Sequence, residues 1–168
     1  MNDPAPSCDI VVDVAVESPL WQDFVEAEDL AKTVIRATLA HEGMNLAPGS
    51  ELSLLFCDDA TIRDLNRQWR GQDKPTNVLS FPAADEPGAV PLLGDIAIAF
   101  ETTAREAAEE DKPLAAHFCH LVVHGLLHLL GYDHETEAEA EVMEGCERAI
   151  LAELGIDDPY RLTVIDNA

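Results

Sequence analysis

Three histidines in the C-terminal half of the chain have the type and spacing of a metal site. His124 and His128 are four residues apart, so on a helix their imidazoles lie on one face and point to one location. Gly131 can adopt a positive φ and end that helix, and the turn that follows can bring His134 back as a third ligand. Three protein ligands leave one zinc position open, as in catalytic zinc sites. The spacing therefore predicts one zinc ion per chain, bound by His124, His128 and His134.

A neighbouring histidine offers an alternative pair. Five of the six histidines lie between positions 117 and 134, and on a helix His117, His120, His124 and His128 share an arc of roughly 80°. His120 and His124 are therefore also correctly spaced. The Gly131 turn favours the pair of His124 and His128, which lie nearer to it. His120 is then a residue that supports the ligands or a part of the core.

The residue at position 125 differs from the one found in the helix motif of the zinc proteases. In their helix motif a glutamate follows the first histidine and acts as the general base. Gly125 stands at that position here, so the ligand spacing is kept without the proton acceptor. Peptide hydrolysis is not expected. Metal-assisted hydrolysis of another bond is compatible with the motif, because zinc lowers the pKa of bound water to about 7.

A second segment carries basic and polar side chains that suit a phosphate group. Four of the ten basic residues fall within twelve positions, namely Arg63, Arg67, Arg70 and Lys74. The guanidinium of Arg70 offers a fork of donors for phosphate oxygens, and Lys74 and Ser80 follow as candidate substrate contacts. The alternative is structural: such side chains end a helix and lie along its apolar face. Residue chemistry alone favours the structural interpretation and leaves both open.

Four strands and about five helices are predicted to position these segments. Apolar and β-branched runs indicate strands at residues 10–16, 51–57, 77–81 and 95–100. Helical patterns cover residues 18–43, 59–70, 102–110, 113–130 and 136–154. This content is typical of one α/β (α+β) domain. The pattern does not reveal the order or direction of the strands.

Length and composition exclude several classes of protein. A chain of 168 residues with 47% hydrophobic residues suits one domain with a hydrophobic core. No apolar run is long enough to span a bilayer, and the N-terminus lacks the basic and apolar regions of a secretory signal. The four cysteines have no CxxC spacing and are expected to be packing residues. We therefore expect a cytoplasmic protein that has no membrane partner.

The net charge of −23 argues against strong nucleic-acid binding by the surface as a whole, because phosphate is repelled by it. Much of the acidity lies near the C-terminus. We expect this run to form a solvated helix face; it contains Glu135, Glu137, Glu139, Glu141, Glu144 and Glu147.

The two functional segments together resemble the YbeY family, bacterial endoribonucleases that mature rRNA. The resemblance extends from about Val11 to Leu154 and rests on residues 73–82, 94–96 and 124–134. It implies a single domain over residues 1–168, with a mixed sheet and a histidine-bearing helix. It also implies metal-dependent cleavage of single-stranded RNA in maturation of the 3′ end of small-subunit (16S) rRNA and in ribosome quality control.

The resemblance assigns roles to single residues. The zinc ligands of the family correspond to His124, His128 and His134, and its arginine corresponds to Arg70, which favours a catalytic role there. Implied partners are a ribosomal protein of the small subunit and a ribosome-assembly GTPase. Two other hypotheses remain: a metal hydrolase acting on peptides or small molecules, and a non-catalytic assembly factor with a structural zinc. The acidic surface suits the latter, because ribosomal proteins are basic.

Overall fold

Four β-strands and five α-helices make up residues 10–44, 46–84 and 91–160, the part of the chain that the computed structural model describes. The expected α/β architecture is confirmed. The strands are β1 (Val11–Val16), β2 (Glu51–Cys57), β3 (Val78–Pro82) and β4 (Leu92–Ala99). The helices are α1 (Ala27–His41), α2 (Asp59–Arg70), α3 (Phe100–Glu109), α4 (Leu114–Leu129) and α5 (Glu137–Glu153).

The sheet is mixed and has the order β1-β2-β4-β3. Strands β1, β2 and β4 run parallel, whereas β3 runs antiparallel to β4 and pairs Ser80 with Ile96. Side chains of a strand alternate between the two faces. One face belongs to the main core, which includes α1 and α4, and the other packs against α2 around Ile62. Helices α2 and α4 therefore lie on opposite faces of the sheet.

Helix α4 is the central helix of the fold. It packs against α1, α3 and α5 and also against β3 and β4. Most of its residues are buried, including Phe118, Val122 and Leu126. A helix that is apolar nearly all round belongs in a core. The histidines of α4 are therefore held on a rigid element.

The single helix expected over residues 18–43 is wrong. Ser18 caps a short 3₁₀ helix, Pro19–Asp23, and α1 begins only at Ala27. The break buries Trp21, whose indole N–H donates to the carbonyl of Cys57 at 2.9 Å and whose ring stacks on Phe56 with centroids 4.5 Å apart. Burial of a large aromatic side chain with its N–H satisfied outweighs continuation of the local helical pattern.

Candidate metal centre

The end of α4 turns the chain back toward the helix. Gly131 has a φ of 104°, and its N–H donates to the carbonyl of His128 at 3.1 Å. The N–H of Tyr132 donates to the carbonyl of Leu127 at 3.0 Å. These two bonds form a Schellman motif, which ends a helix at a residue with positive φ. The predicted role of Gly131 is confirmed.

Two further contacts hold the segment between α4 and α5. The hydroxyl of Tyr132 donates to the carboxylate of Glu42, just after α1. Thr136 and Glu139 form a capping box at the start of α5, with reciprocal bonds of 3.1 Å, which satisfies the first free amides of that helix. His134 therefore lies on a short segment that is fixed at both ends.

This geometry brings three imidazoles together. One ligand atom from each of His124, His128 and His134 lies within 4.8 Å of the other two. The ring centroid of His128 lies 4.7 Å from that of His124 and 4.9 Å from that of His134. His124 and His128 are half-buried, and His134 is exposed. The cluster therefore opens to solvent on one side, as a metal site with a free position requires.

The electrostatics of the cluster fit a metal ion. Burial lowers the pKa of His128, and the neighbouring His124 and His134 lower it further. A metal ligand must be a neutral imidazole, so a lowered pKa keeps His128 ready to coordinate. Three closely spaced nitrogen donors match zinc and related transition metals.

Glu147 on α5 supports this cluster from the side of the core. Its side chain is 0% exposed, although the acidic run was expected to be solvated; that expectation is wrong at this position. Its Oε2 accepts from the Nδ1–H of His124 at 3.0 Å. Burial alone would raise the pKa of Glu147, but hydrogen bonds from His120, His124 and Tyr160 outweigh burial and lower the pKa to about 2. Glu147 is therefore a buried carboxylate.

His120 lies next to the cluster but does not belong to it. Its Nε2–H donates to Oε1 of Glu147 at 2.6 Å. Its Nδ1 is buried and has no hydrogen-bond partner among the described residues. Of the two spacings that the sequence allowed, the structure brings His124 and His128, not His120, to His134.

Gly125 lies in a close contact between α4 and the sheet. A Cβ at this position would lie 3.1 Å from Cγ2 of Ile96, 3.1 Å from Oγ of Ser80 and 3.3 Å from Cγ2 of Val78. Strands β3 and β4 therefore press directly against α4 at this residue. A side chain at this position, which carries the general base in zinc proteases, would require Ile96, Ser80 and Val78 to move by a few tenths of an ångström.

Arg70 reaches β3 from the other face of the sheet. It is the last residue of α2, which ends where Gly71 adopts a φ of 69°. Its guanidinium donates to the carbonyl of Ser80 and lies 5.3 Å from the ring centroid of Phe81. Because β3 packs against α4, this contact connects Arg70 to the strand beside the histidine helix.

The two other candidate substrate contacts differ in their surroundings. The Ser80 hydroxyl donates to the carbonyl of Gly125 at 2.9 Å, so it holds β3 against α4. The Lys74 side chain is exposed and forms no hydrogen bond or ion pair with any described residue; its backbone carbonyl accepts from Asn66 at 2.9 Å. Substrate contact by Lys74 and Ser80 stays a prediction.

Comparison with known proteins identifies the family. A family model described as Endoribonuclease YbeY matches residues 19–155. The chain is 56% identical over 151 residues to an Endoribonuclease YbeY of Methylocella silvestris, with 90% of this chain and 86% of that one covered. It is also 56% identical over 153 residues to that of Azorhizobium caulinodans, covering 90% of this chain and 96% of the relative. The chain belongs to the YbeY family.

The matched region of the YbeY family includes both segments that the sequence singled out. A solution structure of TM1509 from Thermotoga maritima aligns with a TM-score of 0.48 and 25% identity over 90% of this chain and 100% of that one. Among the described residues, no helix is both long and apolar enough to cross a membrane.

Proposed function

We propose that this protein is a metal-dependent endoribonuclease that cleaves single-stranded RNA during rRNA maturation. The observation that carries the proposal is the group of three histidine ligand atoms within 4.8 Å of one another, in a chain whose relatives bear the name Endoribonuclease YbeY. A site with three protein ligands and an open side suits hydrolysis rather than a purely structural metal.

Zinc is the proposed metal, with one ion per chain held by His124, His128 and His134. Three imidazoles and no thiolate fit zinc, which prefers tetrahedral sites. A zinc ion in such a site would act as a Lewis acid and would lower the pKa of bound water to about 7. The chain itself holds the imidazoles in place, through the rigid helix α4 and the fixed turn that carries His134.

Arg70 is the proposed catalytic cation. Cleavage of a phosphodiester increases negative charge on the phosphate oxygens, and a positioned cation stabilises the transition state more than the ground state. The guanidinium lies at the Ser80 carbonyl, on the strand packed against the histidine helix. Lys74 and Ser80 are proposed as further contacts to the RNA.

The proposed process is maturation of the 3′ end of 16S rRNA, together with ribosome quality control in the cytoplasm. The proposed partners are a small-subunit ribosomal protein and a ribosome-assembly GTPase. We further propose that residues 1–168 act as one domain, with a core over about 11–154.

A non-catalytic assembly factor with a structural metal is the second candidate. The net charge of −23 favours this alternative, because such a surface suits a basic ribosomal protein better than it suits RNA. A peptide hydrolase is disfavoured, because Gly125 supplies no general base at the position where the zinc proteases carry a glutamate.

An assay on three substrates distinguishes these functions: a single-stranded RNA, the same sequence as a duplex, and an unfolded protein. We expect cleavage of the single strand, slower cleavage of the duplex, no proteolysis, and loss of activity with a chelator. Proteolysis that disappears in His128→Ala would favour another class of hydrolase. RNA binding without cleavage in the metal-loaded protein would favour the assembly factor.

A further inference from the structure

Glu147 has a contact pattern that packing alone does not require. It is 0% exposed, and both of its carboxylate oxygens accept hydrogen bonds from neighbouring side chains. Oε2 accepts from Nδ1 of His124 at 3.0 Å. Oε1 accepts from Nε2 of His120 at 2.6 Å and from the hydroxyl of Tyr160. A buried charge is tolerated only when its lone pairs are satisfied in this way.

The contact with His124 determines where the proton of that imidazole lies. A carboxylate can only accept hydrogen bonds, and a neutral imidazole carries one N–H and one lone pair. The N–H of His124 must therefore be on Nδ1, which leaves the lone pair on Nε2. In metal sites, a ligating histidine commonly donates its other N–H to a carboxylate, which orients the ring and raises its basicity.

We propose that Glu147 is a positioning residue of the metal site, which holds His124 as the Nδ1–H tautomer and so presents its Nε2 to the ion. The inference rests on the proposed metal-dependent function. The proposed metal site then includes a residue of α5 in addition to α4 and the segment after it. Glu147 is one residue of the acidic run that has a function in this site.

Other side chains hold Glu147 in the required position. His120 and Tyr160 bind Oε1, so Oε2 remains directed at His124. The chain after α5 is held in turn, because Lys112 donates to the carbonyl of Pro159 at 2.7 Å and the Arg148 guanidinium lies 5.2 Å from the Tyr160 ring centroid. The positioning network therefore includes Tyr160 and the segment that holds it.

The first test compares Glu147→Gln with Glu141→Gln. Both variants remove one negative charge from α5, but Glu141 is exposed. Zinc affinity is measured for the full-length protein by competition with a chelator at fixed pH, with the melting temperature as a check on folding. We expect Glu147→Gln to bind zinc about 10–100-fold more weakly, because the amide does not impose the Nδ1–H tautomer. Glu141→Gln should bind as the wild type does. Wild-type affinity in a folded Glu147→Gln would overturn the inference.

If Glu147→Gln does not fold, a second measurement tests the proposed tautomer of His124. Long-range ¹H–¹⁵N correlation spectra of the zinc-loaded wild type report which ring nitrogen of His124 carries the proton. We expect a proton on Nδ1 and zinc on Nε2; zinc on Nδ1 would overturn the inference. If the wild type and Glu141→Gln bind no zinc, the metal site and this inference both fail. If both bind zinc and Glu147→Gln binds it equally well, only the inference fails.

Discussion

The Ser80 hydroxyl donates to the backbone carbonyl of Gly125 over 2.9 Å, and the same hydroxyl oxygen lies 3.1 Å from where a Cβ of Gly125 would stand. The edge strand β3 is therefore in direct contact with the helix that carries His124 and His128. The contact leaves little room for a side chain at the position after the first histidine. It also places β3, the strand that Arg70 contacts, against helix α4.

Gly125→Ala is expected to lower the free energy of unfolding by about 1–3 kcal/mol, as overpacking of a core does. The gain of about 1 kcal/mol from helix propensity is smaller. Gly145 on α5 is the matched control, because an added Cβ there meets nothing within 4 Å. Gly145→Ala should stabilise the protein by about 0.5–1 kcal/mol. Urea unfolding of both variants measures these effects, and a stabilised Gly125→Ala would show that the sheet can yield at this contact.

Alanine variants of the histidines test the composition of the metal site. His124→Ala, His128→Ala and His134→Ala should each lose most of the bound zinc, because two remaining imidazoles bind it weakly. His120→Ala should still bind about one zinc per chain, with an effect on affinity only through Glu147, since His120 contacts Glu147 rather than the cluster. Elemental analysis of the purified variants gives zinc per chain. Full zinc in one of the first three variants would exclude that residue from the site. Loss of zinc from His120→Ala together with full zinc in His124→Ala or His128→Ala would exclude the proposed pair.

Arg70→Ala should keep its fold and its zinc but lose RNA cleavage by about 10²-fold or more, comparable to removal of one preorganised electrostatic donor. Arg70→Lys should recover only part of the activity, because lysine lacks the bidentate donor geometry. The control is Arg67→Ala on the same helix, where Arg67 pairs with Asp64 at the surface. A purely structural Arg70 would instead give near-normal cleavage and a stability loss of about 0.3–1 kcal/mol.

Asp58 should give the fold a measurable pH dependence. It caps α2 by accepting from the N–H of Thr61 at 2.8 Å, and hydrogen bonds from Thr61 lower its pKa. The resulting stability is fully present above the unfolded-state pKa of about 3.9, and it is lost as the pH falls through the lower folded-state pKa.

Two variants, Asp58→Ala and Asp58→Asn, test the stability contribution of this cap. Asp58→Ala should be less stable by about 0.5–2 kcal/mol at neutral pH, whereas Asp58→Asn retains a capping acceptor and should lose much less. The difference between wild type and Asp58→Asn should shrink below about pH 3.9. Urea unfolding across this range tests the prediction, and an Asp58→Ala variant as stable as wild type at neutral pH would contradict it.

The sequence predicts those parts of the site that depend on local spacing. His124, His128 and Gly131 lie within eight positions of one helix and its end, so helix geometry alone brings the imidazoles together. Glu147 is 23 residues from His124, and only the packing of α5 against α4 joins them. Its helical spacing from Met143, Ile150 and Leu151 places Glu147 on the buried face of α5, which is a local signal of burial, but the spacing does not reveal that His124 is its partner.

The break before α1 is also caused by packing between segments that are distant in sequence. Local pattern favours one long helix, but Trp21 is buried against Phe56 of β2, far away in sequence. Strand order depends equally on contacts between distant segments. Most elements could therefore be predicted from the sequence, while the break before α1 and the arrangement that places Arg70 at β3 could not.

The central claim is that RNA cleavage requires one metal ion held by the three histidines. Its most direct test is a titration of zinc into metal-stripped protein, with the rate of cleavage of a single-stranded RNA as the readout. We expect no cleavage without metal, a rise that saturates near one equivalent per chain, and no response in His128→Ala. Full cleavage by the stripped protein, or zinc-dependent cleavage by His128→Ala at the wild-type rate, would contradict the claim.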